Sequence, residues 1–462
     1  MPFADLREFL ACLERHNELV HVTRPVALEY EVGAVTYKLA QSAGPALMFD
    51  RPGGGRVPLV VELITSPTRF ALALETPVEK IHTEWIRRIS KPIPPRRVTT
   101  GPCKENIHTG DDVDVLKFPI PVWNELDAGP YIDQGVLVTQ DPETGVRRTN
   151  IPRIQVHDRR RLGLGLPREA LRGHRRKLGT EQPFPVAIAI GTDPSLVMTA
   201  MTAYPEQADD LAVAGALRGQ PIDVVACETV PLEVPATAEI VIEGEWDQKE
   251  EEDEGPYGAM SGYYTLRAKR PVIRVTAITH RNNPIHNDHY NGRVAAAFMA
   301  VSKFSREIDI LRQISLPGVR KLAIASGSRA APICIVSIEQ RYEGYGKTVG
   351  MAILGTERGR QIKTVIVIDS DVDPGNWNDV EWALATRMQP HRDVVIIPAA
   401  AGNDQHFDPS LSAEDRAVGR SSKMIIDATK FNARDYPTPC LPKPDVLAEV
   451  ERNWGSYGIE RQ

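Results

Sequence analysis

Residues 135–158 read "GVLVTQDPETGVRRTNIPRIQVHD", and the turn at their centre decides how the chain is organised. "DPETG", Asp141 to Gly145, carries Asp, Pro and Gly at positions that favour a turn, between two apolar segments, "GVLVTQ" and "RRTNIPRIQVHD". The arrangement predicts an antiparallel hairpin. The pattern stays strand-rich from about residue 112 to 300. "FPVAIAIG", 184–191, reads as a buried strand, "AEIVIEGE", 238–245, as an apolar run between glutamates, and "PVIRVTAITHRNNP", 271–284, alternates. One clear helix interrupts them near "DDLAVAGALRG", 209–219. The region predicts a mostly antiparallel sheet or barrel with a few helices.

Outward from this centre the chain changes character in both directions. Residues 5–18 predict a helix, with Leu6, Phe9, Leu10 and Leu13 on one face behind an Asp5 cap. "ALMFD" and "VPLVVEL" flank "RPGGGR", Arg51 to Arg56, and predict two strands joined by a loop. The proline-rich "SKPIPPRRVTTGP", Ser90 to Pro102, reads as an inter-domain linker. In the last third, "KTVIVIDSDVDP", a helix near "DVEWALATRM" and then "RDVVIIP" read as strand–helix–strand, hence a parallel α/β domain. "SKMIIDATKF" adds another strand or helix start.

Composition narrows the function classes. Hydrophobic residues make up 42% and charged residues 25%, with a net charge of -6, which is ordinary for a soluble globular protein. There is no basic excess to steer nucleic acid or an anionic membrane; "HDRRR" and "RGHRRK" read as solvated faces. No apolar run approaches the ~18 residues that span a bilayer. The amphipathic, charged start of the chain does not read as a signal peptide. Cys12, Cys103, Cys227, Cys334 and Cys440 are scattered and odd in number, which suits a reduced, cytoplasmic protein.

Several motif candidates fail on chemistry. Asp369, Asp371 and Asp373 begin like a calcium loop, but Pro374 displaces the required glycine and Val380 occupies the twelfth position. These carboxylates are expected to cap the following helix. "GLGLP", Gly163 to Pro167, lacks the third glycine of a dinucleotide fingerprint, "GTERGRQIKT" lacks Walker spacing, and no G-x-S-x-G elbow is present. His286 and His289 sit in a loop-like "NPIHNDHYNGR" as metal ligands or pocket lining. Polar residues at strand ends remain: Asn150, Arg153, Glu169, Asp210 and Glu254. An arginine among apolar residues is costly unless its guanidinium meets a carboxylate or a ligand anion. Glu254, before the Gly-Pro turn of "EGPYGAMSGYY", is its candidate partner.

The segments "VPATAEIVIEGE", "EGPYGAMSGYY" and "RPVIRVTAITHRNNPI" together resemble the UbiD-like decarboxylases. The likeness continues in order through "TNIPRIQVHD", "FPVAIAIGTDP", "LAVAGALRG", "VIVIDSDVDP…VEWALATRMQP" and "SKMIIDATK". The resemblance implies a mixed α/β chain in three parts. These are an N-terminal α/β region with linker over 1–110, a split-barrel flavin-reductase-like cofactor domain over 111–305, and a C-terminal α/β oligomerisation domain over 306–462.

The implied activity is reversible, non-oxidative decarboxylation of an aromatic or α,β-unsaturated acid with prenylated FMN. A flavin prenyltransferase would supply the cofactor, and the chain would form a homodimer or higher homo-oligomer. The family's Glu–Arg–Glu network falls on Glu254 and Arg153, while the proton-donating carboxylate falls on Ala259, whose methyl can donate nothing. Cofactor contacts fall on Asn150, Ile151, Pro152, Arg153, Arg168, Glu169, Ala200, Met201 and Asp210. The family's Asn, His and Glu metal ligands fall on Asn150, Glu169 and Asp210, an all-oxygen set suited to Mn2+ or Mg2+, with K+ nearby. Asn150 stands three residues before Arg153 rather than the family's five. Two other readings keep the fold: a weakly active homologue or carboxylase subunit, and a flavin- or phosphate-binding protein without turnover.

Overall fold

The protein is described here from a computed structural model covering residues 3–42, 44–165, 169–178, 182–202, 208–293, 297–325, 332–402, 408–430 and 436–458. The opening hairpin forms as its turn chemistry requires. Strands Val136–Gln140 and Arg147–Asn150 pair antiparallel, with Gln140 opposite Arg147. Asp141 Oδ1 accepts from the backbone N–H of Glu143 and of Thr144, which closes the turn.

That hairpin is one end of a nine-stranded sheet. From the other end the order runs Tyr131–Ile132, Ile154–Val156, Arg161–Leu164, Ala268–His280, Ile240–Glu254, Phe184–Ile190, Val136–Gln140 and Arg147–Asn150, with Asn106–Thr109 paired beside Ala268–His280. Every pairing in it is antiparallel. Two short segments fix its curvature. The chain passes from Asn150 at one edge to Ile154 near the other, and from Ile132 at the far edge to Val136. Four peptide steps reach about 14 Å at most. The two ends of the sheet must therefore curl towards each other, leaving a split barrel with Asp133–Gly135 and Ile151–Arg153 strung across the gap. Pro152 has no N–H to give a ladder, which suits a crossing segment.

The barrel interior is apolar, filled by Leu137, Ile154, Leu162, Val186, Ile188, Ile242, Ile273 and neighbours. A second core lies on the outer face of Val136 and Val138. There the helices Leu6–Arg15, Pro67–Ala73, Ile81–Ile89, Pro194–Ala200 and Asp210–Arg218 pack around Phe9, Phe70, Trp85, Met198 and Leu211. Asp5 caps the first helix by accepting from Glu8 N, as its sequence position predicts.

Strands Leu19–Val22, Ala46–Phe49 and Leu59–Val61 form a four-stranded sheet whose last member, His286–Asp288, arrives from far along the chain. The proline-rich stretch is more than a linker. Arg96–Arg97 pairs in parallel with Asp223–Ala226.

Helix Ala297–Gln313 leads into a five-stranded C-terminal sheet, ordered Val319–Ile324, Ile333–Ile338, Thr364–Asp369, Arg420–Ala428, Val394–Ala401. Its three central strands are parallel. The strand–helix–strand reading is corrected in one respect: Val394–Ala401 is an antiparallel edge beside Arg420–Ala428, not a neighbour of Thr364–Asp369. The aspartates after Thr364–Asp369 also act differently from expectation. Asn376 caps the helix Trp377–Arg387, while Asp369 and Asp371 both accept from the Arg387 guanidinium, at 2.8 Å each. A buried arginine outcompetes the helix dipole for those carboxylates.

Candidate active site at the barrel split

Strand Ile240–Glu254 ends on Glu254, whose side chain is fully buried, and Gly255 turns the chain at φ 84°. Side chains from other segments pin this turn. Asp127 accepts from Gly258 N at 2.7 Å and from Asn124 N at 2.8 Å, and Gln155 Oε1 accepts from Gly255 N at 3.1 Å. Glu254 is thereby aimed at the crossing segment.

There it meets Arg153. Arg153 Nε donates to Glu254 Oε1 at 2.7 Å and Nη2 to Oε2 at 2.8 Å, a bidentate fork. Burial works against the guanidinium charge, but the two hydrogen bonds and the Glu254 carboxylate outweigh it and hold Arg153 above its ordinary pKa. The Tyr131 hydroxyl lies 3.1 Å from Gln155 Oε1 and 3.3 Å from Glu254 Oε1, so the carboxylate is held from a second side.

A second set of groups lies under the guanidinium. The Tyr257 ring faces Arg153, with Cζ 5.2 Å from its centroid. Its hydroxyl donates to Asp133 Oδ1 at 2.7 Å. Asp288 Oδ1 accepts from Asp133 N at 2.8 Å and from His289 N at 2.9 Å, and its Oδ2 faces His286 Nε2 at 3.3 Å. Asp133 Oδ2 is buried and takes no hydrogen bond among the described residues. Burial, and next the nearby Asp288 charge, push the Asp133 carboxyl well above the usual carboxylate range. Both influences favour the protonated form of Asp133.

The histidines divide. His289 Nδ1 lies 2.7 Å from Gln134 Oε1, its Nε2 lies 2.9 Å from Asn291 Nδ2, and burial lowers its pKa to about 4. That ring is neutral near pH 7 and holds no spare proton. His286 lies in a strand rather than a loop, with its side chain fully buried. Among the described residues no group of three or more His, Cys, Asp or Glu side chains is placed to hold a metal ion.

The other sequence-selected positions fall as follows. Ala259 is buried in an apolar cluster with Val26, Val32, Trp123, Tyr257 and Tyr290. Asn150 is buried, and no hydrogen bond ends on its side chain among the described residues. Ile151 packs against the helical core, Pro152 is buried, and Ala200 and Met201 lie within that same core. Asp210 opens its helix, and both of its oxygens are engaged. Arg148 Nη1 donates to Oδ1 at 3.0 Å; Thr149 N and Oγ1 donate to Oδ2 at 2.7 and 3.1 Å. Glu169 begins the helix Glu169–Leu178, but its side chain lies outside the described residues, as does the whole of Arg168.

Sequence reading missed Tyr131, Asp133, Gln155, Tyr257 and Asp288. Only Gln155 carried a signal: it stands two residues from Arg153, and strand alternation puts such residues on one face.

Family profiles match nearly the whole chain in order. They are described as the N-terminal domain (residues 10–89), the Rift-related domain (96–294) and the C-terminal domain (300–428) of 3-octaprenyl-4-hydroxybenzoate carboxy-lyase, UbiD. The chain belongs to the UbiD family. Solved UbiD-class structures agree along the full length. The HmfF enzyme of Pelotomaculum thermopropionicum, in complex with FMN, is 34% identical at a TM-score of 0.88, covering 96% of this chain and 99% of its own. Vanillic acid decarboxylase of Sedimentibacter hydroxybenzoicus is 31% identical at 0.87, covering 99% and 100%. The 3,4-dihydroxybenzoic acid decarboxylase of Klebsiella pneumoniae is 27% identical at 0.88, covering 97% and 99%. This UbiD-family carboxy-lyase thus shares their mixed α/β architecture with a curled central sheet. No helix among its described residues is long and apolar enough to cross a membrane.

Proposed function

We propose that this UbiD-family carboxy-lyase reversibly decarboxylates an aromatic or α,β-unsaturated carboxylic acid with prenylated FMN. The observation that carries the reading is the Arg153–Glu254 fork set across the barrel split. Prenylated FMN, when bound, supplies the electron sink for loss of CO2. Asn150, buried next to the crossing segment, would offer its side-chain amide to such a ligand.

The chain's own residues supply orientation and a proton. Arg153 orients the substrate carboxylate, and Glu254 fixes the guanidinium. Breaking the bond to CO2 leaves a carbon that must take a proton. Ala259 cannot give one and His289 carries none to spare. Asp133 can: it is buried, its carboxyl is biased towards the protonated form, and it lies beside the tyrosine that underlies Arg153. It is the proton source in this reading.

The implied divalent cation, Mn2+ or Mg2+ with K+ nearby, would be held by Asn150, Glu169 and Asp210, whose side-chain oxygens suit a hard cation. In the structure Asp210 Oδ1 accepts from Arg148 and Oδ2 from Thr149.

Exposed apolar side chains on the C-terminal part, Ile396, Val418 and Leu441 among them, support a homodimer or higher oligomer. Co-expression with a flavin prenyltransferase, then a visible spectrum and CO2 release from a panel of aromatic acids, tests the whole. Flavin absorbance with turnover is expected. Flavin without turnover would favour a binding homologue, and no flavin would sink the decarboxylase reading.

A further inference from the structure

We infer that His108 and His280 form a two-imidazole site for a borderline divalent cation such as Zn2+, on the barrel wall and apart from the candidate active site. The two places lie at opposite ends of the 13-residue strand Ala268–His280: Glu254 pairs with Ala268, and His280 closes the strand. There Asn106–Thr109 pairs with it antiparallel, His108 opposite Ile278 and Asn106 opposite His280. His108 and His280 are therefore diagonal neighbours on one face of the sheet. Their Nε2 atoms stand 3.2 Å apart, whereas the ring centroids are 5.3 Å apart, so the rings meet tip to tip. Both residues are half-buried, within reach of solvent, and Phe118 stands edge-on to the His280 ring.

The hydrogen bonds decide which nitrogens are bare. His280 Nδ1 lies 2.7 Å from Arg281 O, an oxygen that can only accept. Nδ1 of the neutral ring thus carries the hydrogen, and Nε2 turns a lone pair towards His108. A backbone carbonyl on the far nitrogen is the support that metal-ligating imidazoles commonly have. Two nitrogens about 2.0–2.1 Å from one tetrahedral ion stand about 3.3 Å apart, close to the separation already present. Without the ion, His108 Nε2 donates its hydrogen to His280. With it, that hydrogen moves to His108 Nδ1, on which no hydrogen bond ends among the described residues, and both Nε2 lone pairs meet the ion. Water completes the shell. Imidazole ligands select Zn2+, Cu2+ or Ni2+ over Mg2+ and Mn2+. The chain following Asn106–Thr109 sends Val113, Val115 and Phe118 into the barrel core, so the ion would clip that segment to the wall.

Zn2+ uptake by the untagged protein, in competition with a chromophoric chelator at pH 7.5, tests this. Excess Mg2+ keeps carboxylate sites occupied. Wild type should take up one equivalent that both His108→Gln and His280→Gln lose. Zn2+ should also raise the wild-type melting temperature by about 2 °C or more and leave both variants unchanged. Pulsed EPR of Cu2+-loaded wild type needs no variant and should show two coupled imidazoles. Equal Zn2+ uptake by wild type and variants, or fewer than two coupled imidazoles, overturns the site and leaves the pair a hydrogen bond only. Neither result bears on the flavin reading.

Discussion

The Tyr257 hydroxyl donates to Asp133 Oδ1 across 2.7 Å, while the other Asp133 oxygen is buried and takes no hydrogen bond among the described residues. A carboxylate would leave a charge on that oxygen unanswered, which costs more than an unpaired O–H of the neutral acid. Asp133→Asn keeps the shape and removes the proton. CO2 release should fall by about 10²-fold or more, the usual share of a positioned acid. The pH profile gives the sharper readout. Burial and Asp288 raise the Asp133 pKa, so the acid is active below that raised value, and activity falls as pH rises through it. In Asp133→Asn the alkaline limb should disappear. An unchanged limb would assign it to another group.

Glu254→Gln tests the fork itself. The amide offers one acceptor where the carboxylate offered two, and loses the charge that steadies Arg153. Breaking one side of a buried ion pair costs about 3–5 kcal/mol. Part of that should appear as a lower melting temperature. The rest should appear as a loss of about a hundredfold in kcat/KM, equivalent to ~3 kcal/mol of transition-state stabilisation. Retained activity would remove Glu254 from its role.

Ala259→Glu asks whether the missing acid matters. The site is apolar and only 7% exposed, so a carboxyl there is expected to destabilise the fold by about 1–3 kcal/mol. Alone it should not speed turnover, because in the proposed mechanism Asp133 supplies the proton. Combined with Asp133→Asn it should recover a substantial part of the lost rate. A faster single variant, or no recovery in the double variant, would show that Asp133 is not the source.

What the sequence disclosed and what it hid divide by distance along the chain. The Arg153–Glu254 pair was legible across 101 residues because an arginine among apolar side chains demands an acid, and a glutamate before Gly-Pro was the evident supplier. The hairpin was legible because Asp141 and Gly145 specify their own turn. Asp133 was not. Its partners Tyr257 and Asp288 lie 124 and 155 residues away, and each has an ordinary surface reading. Strand order was hidden for a similar reason. Apolar alternation says that Val394–Ala401 is a strand, while its pairing with Arg420–Ala428 depends on where the chain returns. The aspartates near residue 370 misled because a helix start and a distant arginine both attract carboxylates, and only packing shows which is nearer.

Gly165 was set aside with "GLGLP" as an incomplete phosphate motif, yet it braces the arginine. Its N–H donates to Arg153 O at 3.0 Å, and a Cβ there would stand 2.8 Å from that oxygen and 2.6 Å from Arg153 Cγ. Its φ is not in the left-handed region, so the demand for glycine is steric rather than conformational. Gly165→Ala should therefore displace Arg153 without disturbing the barrel core. Overpacking of this kind costs about 1–3 kcal/mol. With Arg153 orienting the substrate as proposed, the expected outcome is a fall of about tenfold or more in kcat/KM, with flavin absorbance after prenyltransferase co-expression retained. Gly165→Ser should be worse, because its hydroxyl adds bulk at the same point. Wild-type kinetics in Gly165→Ala would mean that the crossing segment yields and carries Arg153 and Glu254 with it.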